Sequence, residues 1–442
     1  MRCFNSYQCL TKSILLFIGF LIGGEFAFAQ EPDYHLITEA QYKQQTYTGD
    51  PGNLSQQYTF IGLYKQALIE EEARGHVWNL NPENERKVVN AKNAYPFIYD
   101  AIRKNRIVIL NEAHNNPLSR VLFYNLIDSL ENLGVNSLFI EAMGYEANDT
   151  SYENFKLVAL RGYYQSENVF RQVMYKLKES KLHVYSYEYD PKSLDTLSDR
   201  GVHYIVSKTD ARWVPIKVDK YVLDNFLSKG DHNREAHQAL KIFQKLNREN
   251  IDKAFIYCGY GHAWRQGNNM IDILEHLLQQ KVFAIDQTVM NECINRKLEQ
   301  PLYTRFATAD YPFVFVNDQN NPCFVLQSNT GTTKERNLVD LVVASPRSIY
   351  VNNRPSWLEL NGTRKRYPLS KFMDLGLYTD FLVAIYSMDE LNIKTEEQIP
   401  DDVIQVYGSG DNYDVILKPN QRYQFRVIKN KTVVMDKTIR TY

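Results

Sequence analysis

The chain has 442 residues, of which 23% are charged and 44% are hydrophobic, and its formal net charge is −1 at neutral pH. Positive and negative charges are nearly equal in number, which gives no reason to expect a nucleic acid or an anionic surface as a partner. The length supports one large domain with smaller additions, built around a hydrophobic core.

The first residues are typical of an export signal. A weakly positive start is followed by a short apolar stretch at 14–22 and by Ala27-Phe28-Ala29, which has the small-x-small form of a cleavage site. We therefore predict a signal peptide over residues 1–29 and a mature protein that is exported, periplasmic or extracellular, and does not span the membrane. An uncleaved membrane anchor is the alternative. Three cysteines remain after cleavage, too few for a disulfide framework and without metal-ligand spacing.

The residues up to about 90 are predicted to form a helical preface, because apolar residues recur at helical spacing over 58–72. A helix at about 95–104 then leads into a first strand, 106–110. The strands predicted after it are 137–140, 182–188, 253–258 and 282–285. The helices predicted between them are 118–133, 166–180, 216–228, 233–247 and 269–278. This alternation indicates an α/β fold with a mostly parallel sheet flanked by helices.

The last part of the chain changes in character. Runs at 312–316 and 338–344 are candidates for the last strands of the main sheet. Short β-prone runs with turn residues between them predict a small antiparallel region from roughly residue 400. We therefore divide the mature chain into an α/β domain with its preface, 30–345, and a C-terminal β-rich region, 346–442.

Polar residues follow three of the predicted strands. The first strand is followed by Asn111-Glu112-Ala113-His114, the strand 137–140 by Glu141, and the strand 253–258 by Gly259-Tyr-Gly-His262. Open α/β sheets bind ligands just beyond the carboxyl ends of their parallel strands. If these strands are neighbours, two imidazoles and two carboxylates meet in one cleft.

These residue types suit acid–base or metal chemistry. Glu112 and His114 are two residues apart, so both face the same side of a continuing strand. Together they could ligate a metal, or orient and deprotonate a water molecule. The structural alternative is that Glu112 caps the following helix while His114 fills a polar gap. For His262 the alternative is a buried core histidine.

Two further charged residues are candidates. Arg234 lies near the start of a predicted helix and could bring a positive charge to a developing oxyanion, although a solvated charge pair is the alternative. Glu188 ends its own strand and could ligate a metal or hold an arginine. The sequence has no Gly-x-Ser-x-Gly motif and no phosphate loop.

The segment Leu110-Asn-Glu-Ala-His-Asn-Asn-Pro117, a helix, and then Phe139-Ile-Glu141 resemble the opening of the ChaN-like haem-uptake proteins of the Tiki superfamily. Members of that group typically read Gly-Glu-x-His-(Asp/Asn)-Asn-Pro, followed by a strand that ends in glutamate. The helix with Arg234 and the segment that ends in His262 fit the same plan over residues 90–290. More distantly, the pattern is similar to erythromycin esterases and Tiki/TraB metalloproteases. The chain departs from the family at Asn111, where glycine is usual.

By this resemblance, Glu112, His114, Arg234 and His262 are catalytic candidates, and Glu112, His114, Glu141 and His262 are candidate ligands of a divalent metal ion. The resemblance covers both hydrolases and binding proteins. The density of acid/base groups at the strand ends favours an exported hydrolase that activates water with a His/Glu site, with or without a metal. Its substrate would be a small-molecule ester or a peptide-like compound. The alternative is a haem- or metal-binding uptake protein without catalysis, with a nearby tyrosine as an axial ligand, and a non-catalytic scaffold is a third interpretation.

Overall fold

The computed structural model describes residues 36, 38–45, 51–73, 82–141, 143, 163–324, 326, 337–388, 399–408 and 412–442. All of them belong to one compact unit, Leu36–Tyr442. The predicted signal peptide lies outside the described residues and stays a prediction. Within the described ranges, no helix has the length and apolar character needed to cross a membrane.

The elements are numbered in chain order within the described ranges. The α-helices are α1 Glu39–Gln45, α2 Pro51–Phe60, α3 Tyr64–Ala73, α4 Pro82–Lys87, α5 Ala94–Lys104, α6 Leu118–Leu130, α7 Asn168–Glu179, α8 Lys220–Leu227, α9 Asp231–Arg248, α10 Met270–Leu278 and α11 Pro301–Phe306. The first strands are β1 Asn90–Asn93, β2 Ile107–Glu112, β3 Ser137–Ile140, β4 His183–Ser186, β5 Leu194–Asp199, β6 Val202–Ser207, β7 Ile216–Val218, β8 Ala254–Gly259, β9 Phe283–Asp286, β10 Phe313–Val316 and β11 Leu341–Ala344. The later strands are β12 Tyr350–Val351, β13 Arg354–Pro355, β14 Lys365–Pro368, β15 Phe381–Ser387, β16 Asp402–Val406, β17 Asp414–Leu417, β18 Arg422–Lys429 and β19 Thr432–Arg440.

An eight-stranded sheet forms the centre of the fold, in the order β1-β10-β11-β9-β2-β8-β3-β4. The strands from β11 to β4 are parallel to one another, and β1 and β10 are antiparallel at the other end. The predicted fold class, a mostly parallel sheet flanked by helices, is confirmed. Strands β2, β3 and β8 are buried along their whole length, which explains why they are nearly continuous apolar runs in the sequence.

Successive side chains of the central strands enter two separate cores, as the twofold repeat of a strand requires. On one face Ile109 and Ile256 pack in the core that includes buried residues of α9 and α10. On the other face Val108 and Phe255 pack in the core that includes α6 and α7. Helices therefore pack on both faces of the sheet, and this packing fixes the positions of the strand ends.

Two local differences from the sequence prediction have clear causes. The helix predicted over 58–72 is interrupted at Gly62, which has φ +75°, and a Cβ there would lie 2.3 Å from both Arg354 Nη1 and Val403 O. The helix predicted from 216 begins only at Lys220, because the Asp219 side chain accepts from the backbone N–H of Val222 and caps it there. Strand β7 precedes that cap and pairs with β6 in the small sheet β5-β6-β7.

The C-terminal strands form antiparallel pairs, as predicted. One sheet has the order β16-β15-β18-β19, and β14 pairs with β17. Phe381, Val415 and Phe425 contribute to a core of their own. The antiparallel arrangement begins before residue 400, since β14 and β15 already belong to it. The domain boundary at residue 345 stays a prediction.

Candidate functional site

The carboxyl ends of neighbouring parallel strands bring the predicted residues to one edge of the sheet. Strand β2 lies beside β8, with Glu112 opposite Gly259, and β8 lies beside β3, after which Glu141 follows directly. His262 lies in a 3-10 helix just after β8, and Arg234 lies near the start of α9. We call this set the strand-end site; its members are Glu112, His114, Glu141, Arg234 and His262.

Glu112 is buried and has proton donors on both oxygens. The Arg120 guanidinium binds it through two hydrogen bonds, from Nε to Oε2 and from Nη2 to Oε1, each of 2.9 Å. The hydroxyl of Tyr257 donates to Oε2 (2.6 Å), and His114 Nδ1 lies 2.8 Å from Oε1. Burial alone would raise the pKa of Glu112, but Arg120 and His114 outweigh it and lower that pKa to about 2. The carboxylate is therefore ionised at neutral pH.

The His114 ring is held on three sides. Besides the contact from Nδ1 to Glu112, the ring stacks on Tyr164, with 3.8 Å between centroids and 16° between planes. Tyr260 contacts it edge-on, at 5.4 Å. The side chain keeps 16% of its surface exposed. In the neutral ring, a proton donated from Nδ1 to Glu112 leaves the lone pair on Nε2.

Gly259 makes room for this arrangement. A Cβ atom there would lie 2.3 Å from His114 Nε2 and 3.2 Å from Glu141 Oε2. Its backbone N–H donates to Glu141 Oε2, at 2.5 Å. The side chains of His114 and Glu141 therefore meet over the end of β8, and any residue larger than glycine would push the imidazole away.

His262 lies between two carboxylates. Its Nε2 is 3.0 Å from Glu141 Oε1, and its Nδ1 is 2.7 Å from Glu235 Oε1. Burial would lower the pKa of His262, but these two carboxylates raise it to about 10. The ring is therefore an imidazolium at neutral pH. Its charge, with that of Arg234, holds the pKa of the buried Glu141 well below its usual range.

Arg234 is the more exposed cation of the site. Its Nη2 donates to Glu141 and lies 3.4 Å from Glu188 Oε1, and 35% of its side chain is exposed. Burial and the neighbouring Glu141 raise the pKa of Glu188. Glu188 thus holds an arginine, which was one of the two roles considered for it.

Asn111, the residue before Glu112, has a structural role. Its Nδ2 donates to the carbonyl of Tyr260 (2.8 Å) and to Asp286 Oδ2 (2.6 Å). Its Oδ1 accepts from the backbone N–H of Gln287, at 2.9 Å. The side chain is fully buried. It joins the end of β2 to the end of β9 and to the segment that carries His262.

Sequence reasoning missed several residues that support the site: Arg120, Tyr164, Glu167, Glu235 and Tyr257. Glu235 follows Arg234 directly, and Arg120 lies on the helix after the Asn111–His114 segment. Both are therefore close in sequence to residues that were predicted to belong to the site. Glu167 and Tyr164 lie just before a helix far along the chain, and nothing in their local sequence connects them to His114.

The predicted metal ligands fit a metal ion poorly. Within the described ranges, no group of three or more His, Cys, Asp or Glu side chains is arranged to hold one. Both oxygens of Glu112 and both oxygens of Glu141 already accept from N–H or O–H donors. The metal assignment of Glu112, His114, Glu141 and His262 stays a prediction that these contacts do not favour.

Comparisons with known proteins gave only distant matches. No family model and no curated protein matches the chain. Among solved structures, the type III effector HopBA1 matches with a TM-score of 0.30 and 11% identity, over 59% of this chain and 98% of that one. A structure described as cofacial heme binding to ChaN of Campylobacter jejuni matches with a TM-score of 0.25 and 11% identity, over 47% and 89%. Both are too distant to assign a family or a function.

Proposed function

We propose that this chain is an exported hydrolase in which His114 activates water for attack on an ester or a peptide-like substrate. The observation that carries the proposal is the difference between the contacts of the two nitrogens of the His114 ring. Nδ1 is fixed by an ionised carboxylate, and Nε2 lies at the strand-end edge with no hydrogen-bond partner among the described residues. A histidine held in this way can act as a general base.

The reaction needs only protein side chains, water and substrate. His114 Nε2 takes a proton from water while the water oxygen bonds to the carbonyl carbon, which gives a tetrahedral oxyanion. The oxyanion then collapses, the bond to the leaving group breaks, and the leaving group takes the proton back from Nε2. Glu112 stabilises the imidazolium that exists between the two steps, since its carboxylate contacts Nδ1.

Arg234 is the residue best placed to stabilise the oxyanion. One of its nitrogens contacts Glu141 and Glu188, and a guanidinium has five N–H donors. In the described part of the chain, Nε and Nη1 have no partner and remain available to a substrate oxygen. His262 is less accessible, because it lies between two carboxylates. We therefore assign His262 the role of fixing Glu141, which in turn fixes Arg234.

Haem binding without catalysis is the alternative function. Tyr164 is the tyrosine that stacks on His114, and burial raises its pKa. A tyrosine that ligates haem iron does so as a phenolate, so a raised pKa opposes this role. The ring face of Tyr164 is also covered by the imidazole. These contacts fit a haem ligand less well than they fit a packed support for His114.

The proposal is tested by measuring hydrolysis of a panel of p-nitrophenyl esters and peptide p-nitroanilides by the purified mature protein. Turnover should survive EDTA, fall in His114→Ala, and be unchanged in His276→Gln, a control at an exposed histidine that pairs with Asp219. Turnover abolished by EDTA and restored by zinc would overturn the metal-free proposal. A haemin titration that gives a stoichiometric Soret shift, with no turnover on the panel, would replace the proposal with the haem alternative.

The exported location depends on the predicted signal peptide. N-terminal sequencing of the protein recovered outside the cytoplasm should begin at Gln30. A protein that keeps residues 1–29, or that stays in the cytoplasm, would contradict export.

A further inference from the structure

Asp402 is a fully buried acid at the start of β16 in the C-terminal region. Most of its partners belong to that region. Arg354 Nη2 donates to Oδ1, and the backbone N–H of Ile416 donates to Oδ2 at 2.7 Å. Arg354 also donates to the carbonyl of Val403, at 2.9 Å. These contacts join the carboxylate on β16 to β13 and to β17, which belong to two other small sheets of the C-terminal region.

One contact of Asp402 leaves the C-terminal region. Asn168 Nδ2 donates to Asp402 Oδ1 at 3.0 Å, and Asn168 is the first residue of α7. The hydroxyl of Tyr64, from the preface helix α3, lies 2.7 Å from Asn168 Oδ1 and 3.3 Å from Glu167 Oε1. Three parts of the chain therefore meet at the start of α7.

Glu167 connects this point to the strand-end site. Its Oε2 accepts from the backbone N–H of Phe170, which caps α7, and from Arg120 Nη1, each at 2.9 Å. Arg120 then uses Nε and Nη2 for Glu112 and also donates to the carbonyl of His114, at 3.0 Å. The path from Asp402 to His114 consists of hydrogen bonds except at one step: Asn168 and Glu167 are consecutive residues and share the Tyr64 hydroxyl. Arg120, Glu167 and Asn168 on this path are at most 1% exposed.

The orientation of Arg120 depends on the two carboxylates that it binds, Glu167 and Glu112. A guanidinium is planar, so a carboxylate on Nη1 fixes the plane in which Nε and Nη2 reach Glu112. If Glu167 moves with the start of α7, Arg120 turns and Glu112 loses its twofold contact. The hydrogen bond that orients His114 would then change, although no described residue of the C-terminal region touches the ring.

We propose that Asp402 is a positioning residue for His114, acting through Asn168, Glu167 and Arg120. The C-terminal region would thereby help to build a site to which its described residues, 346–388, 399–408 and 412–442, contribute no contacting side chain. The effect of Asp402 on turnover rests on the proposed hydrolase function. Its effect on the geometry of His114 does not, and the two can be measured separately.

The geometric test is proton NMR of the full mature chain. A proton held between an imidazole nitrogen and a carboxylate resonates downfield of the amide region. The signal of His114 is identified by its loss in His114→Ala. The signals of His262 serve as an internal reference. Asp402→Asn, Asn168→Ala and Glu167→Gln should shift or broaden the His114 signal and leave those of His262 in place. Asn168→Ala keeps the Asp402–Arg354 ion pair, so it tests the path even if Asp402→Asn does not fold.

Asp401→Asn is the matched control. Asp401 is the neighbouring buried acid and also contacts α7, through Gln172 Nε2 at 2.9 Å, but it has no contact with Asn168, Glu167 or Arg120. A His114 signal that is unchanged in Asn168→Ala, or that shifts as much in Asp401→Asn, would overturn the inference.

In a turnover assay, Asn168→Ala should lower kcat about tenfold at nearly constant KM, since small misplacements of a catalytic group slow the chemical step. A loss confined to KM would contradict positioning. If the panel shows no turnover in any protein, the hydrolase proposal fails and the NMR result still decides the inference.

Discussion

The ends of β2 and β8 carry the two histidines that look equivalent in the sequence, and the structure gives them different surroundings. His114 contacts one carboxylate through Nδ1, while its Nε2 faces the edge of the sheet. His262 contacts a carboxylate on each side, and its pKa is raised to about 10. The same residue type, a few positions after the ends of two parallel strands, is thus a fixed cation in one case and the proposed base in the other. The difference lies in the contacts of the ring nitrogens: both nitrogens of His262 lie within 3.0 Å of a carboxylate oxygen, whereas in His114 this holds for Nδ1, at 2.8 Å.

The largest expected effect comes from removing the base. His114→Ala should lower kcat on any substrate of the panel about 10³-fold, since a general base typically contributes 10²- to 10⁴-fold. Thermal unfolding should change little, because the ring is partly exposed. Steady-state kinetics with His276→Gln as control measures this. If His114→Ala keeps more than about a tenth of the activity, the two histidines do not differ in the way proposed.

The second effect concerns His262 and stability at high pH. Its pKa is higher in the folded protein than the ordinary value of 6.5, so its stabilising contribution is complete below pH 6.5 and is lost as the pH rises through about 10. The contribution is a few kcal/mol, because one pKa unit corresponds to about 1.4 kcal/mol. The difference in unfolding free energy between wild type and His262→Gln should therefore shrink from pH 6.5 to 10. A constant difference across this range would show that His262 is not a buried cation.

The third effect concerns Glu112 and low pH, where the sign is reversed. Its pKa is lower in the folded protein than the ordinary value of 4.5, so its contribution is complete above pH 4.5 and is lost as the pH falls through about 2. The unfolding free energies of wild type and Glu112→Gln should converge over this window. A Glu112→Gln difference that persists at pH 2 would argue against the ion pair with Arg120.

The smallest effect separates two glycines that are two residues apart. A Cβ on Gly259 would lie 2.3 Å from His114 Nε2, whereas a Cβ on Gly261 meets nothing closer than 3.7 Å. Gly259→Ala should therefore displace His114 and lower kcat about tenfold to a hundredfold, and Gly261→Ala should leave kcat unchanged. Kinetics and unfolding of both variants measure this. Equal losses in the two would show that the tight contact with His114 has no catalytic consequence.

Much of the fold could be predicted because the signal was local. The apolar runs that became β2, β3 and β8 are buried on both faces, and that burial makes them recognisable in the sequence. The break at Gly62 was missed, because it depends on contact with Arg354 and Val403 at the other end of the chain. Helical spacing continues across the glycine, so no local pattern reveals the interruption.

For the site, the sequence predicted the residues at the strand ends but not the residues that hold them in place. Glu112, His114 and Glu141 stand next to strands, where polar residues after an apolar run are conspicuous. The charge states of Arg120 and His262, which support these residues, depend on partners that are distant in sequence: Glu167 for Arg120 and Glu235 for His262. The role of Asn111 was also out of reach, since its partner Asp286 ends a strand that is adjacent only after folding.

The most direct test of the difference between the two histidines is nitrogen NMR of the imidazole rings in histidine-labelled protein at pH 8. His262 should show two protonated nitrogens, because its pKa is raised to about 10. When the His114 ring carries a single proton, that proton should be on Nδ1, beside Glu112, and Nε2 should be unprotonated. The signals are assigned with His262→Gln and His114→Ala. A neutral His262, or a neutral His114 that carries its proton on Nε2, would contradict the assignment of one fixed cation and one base.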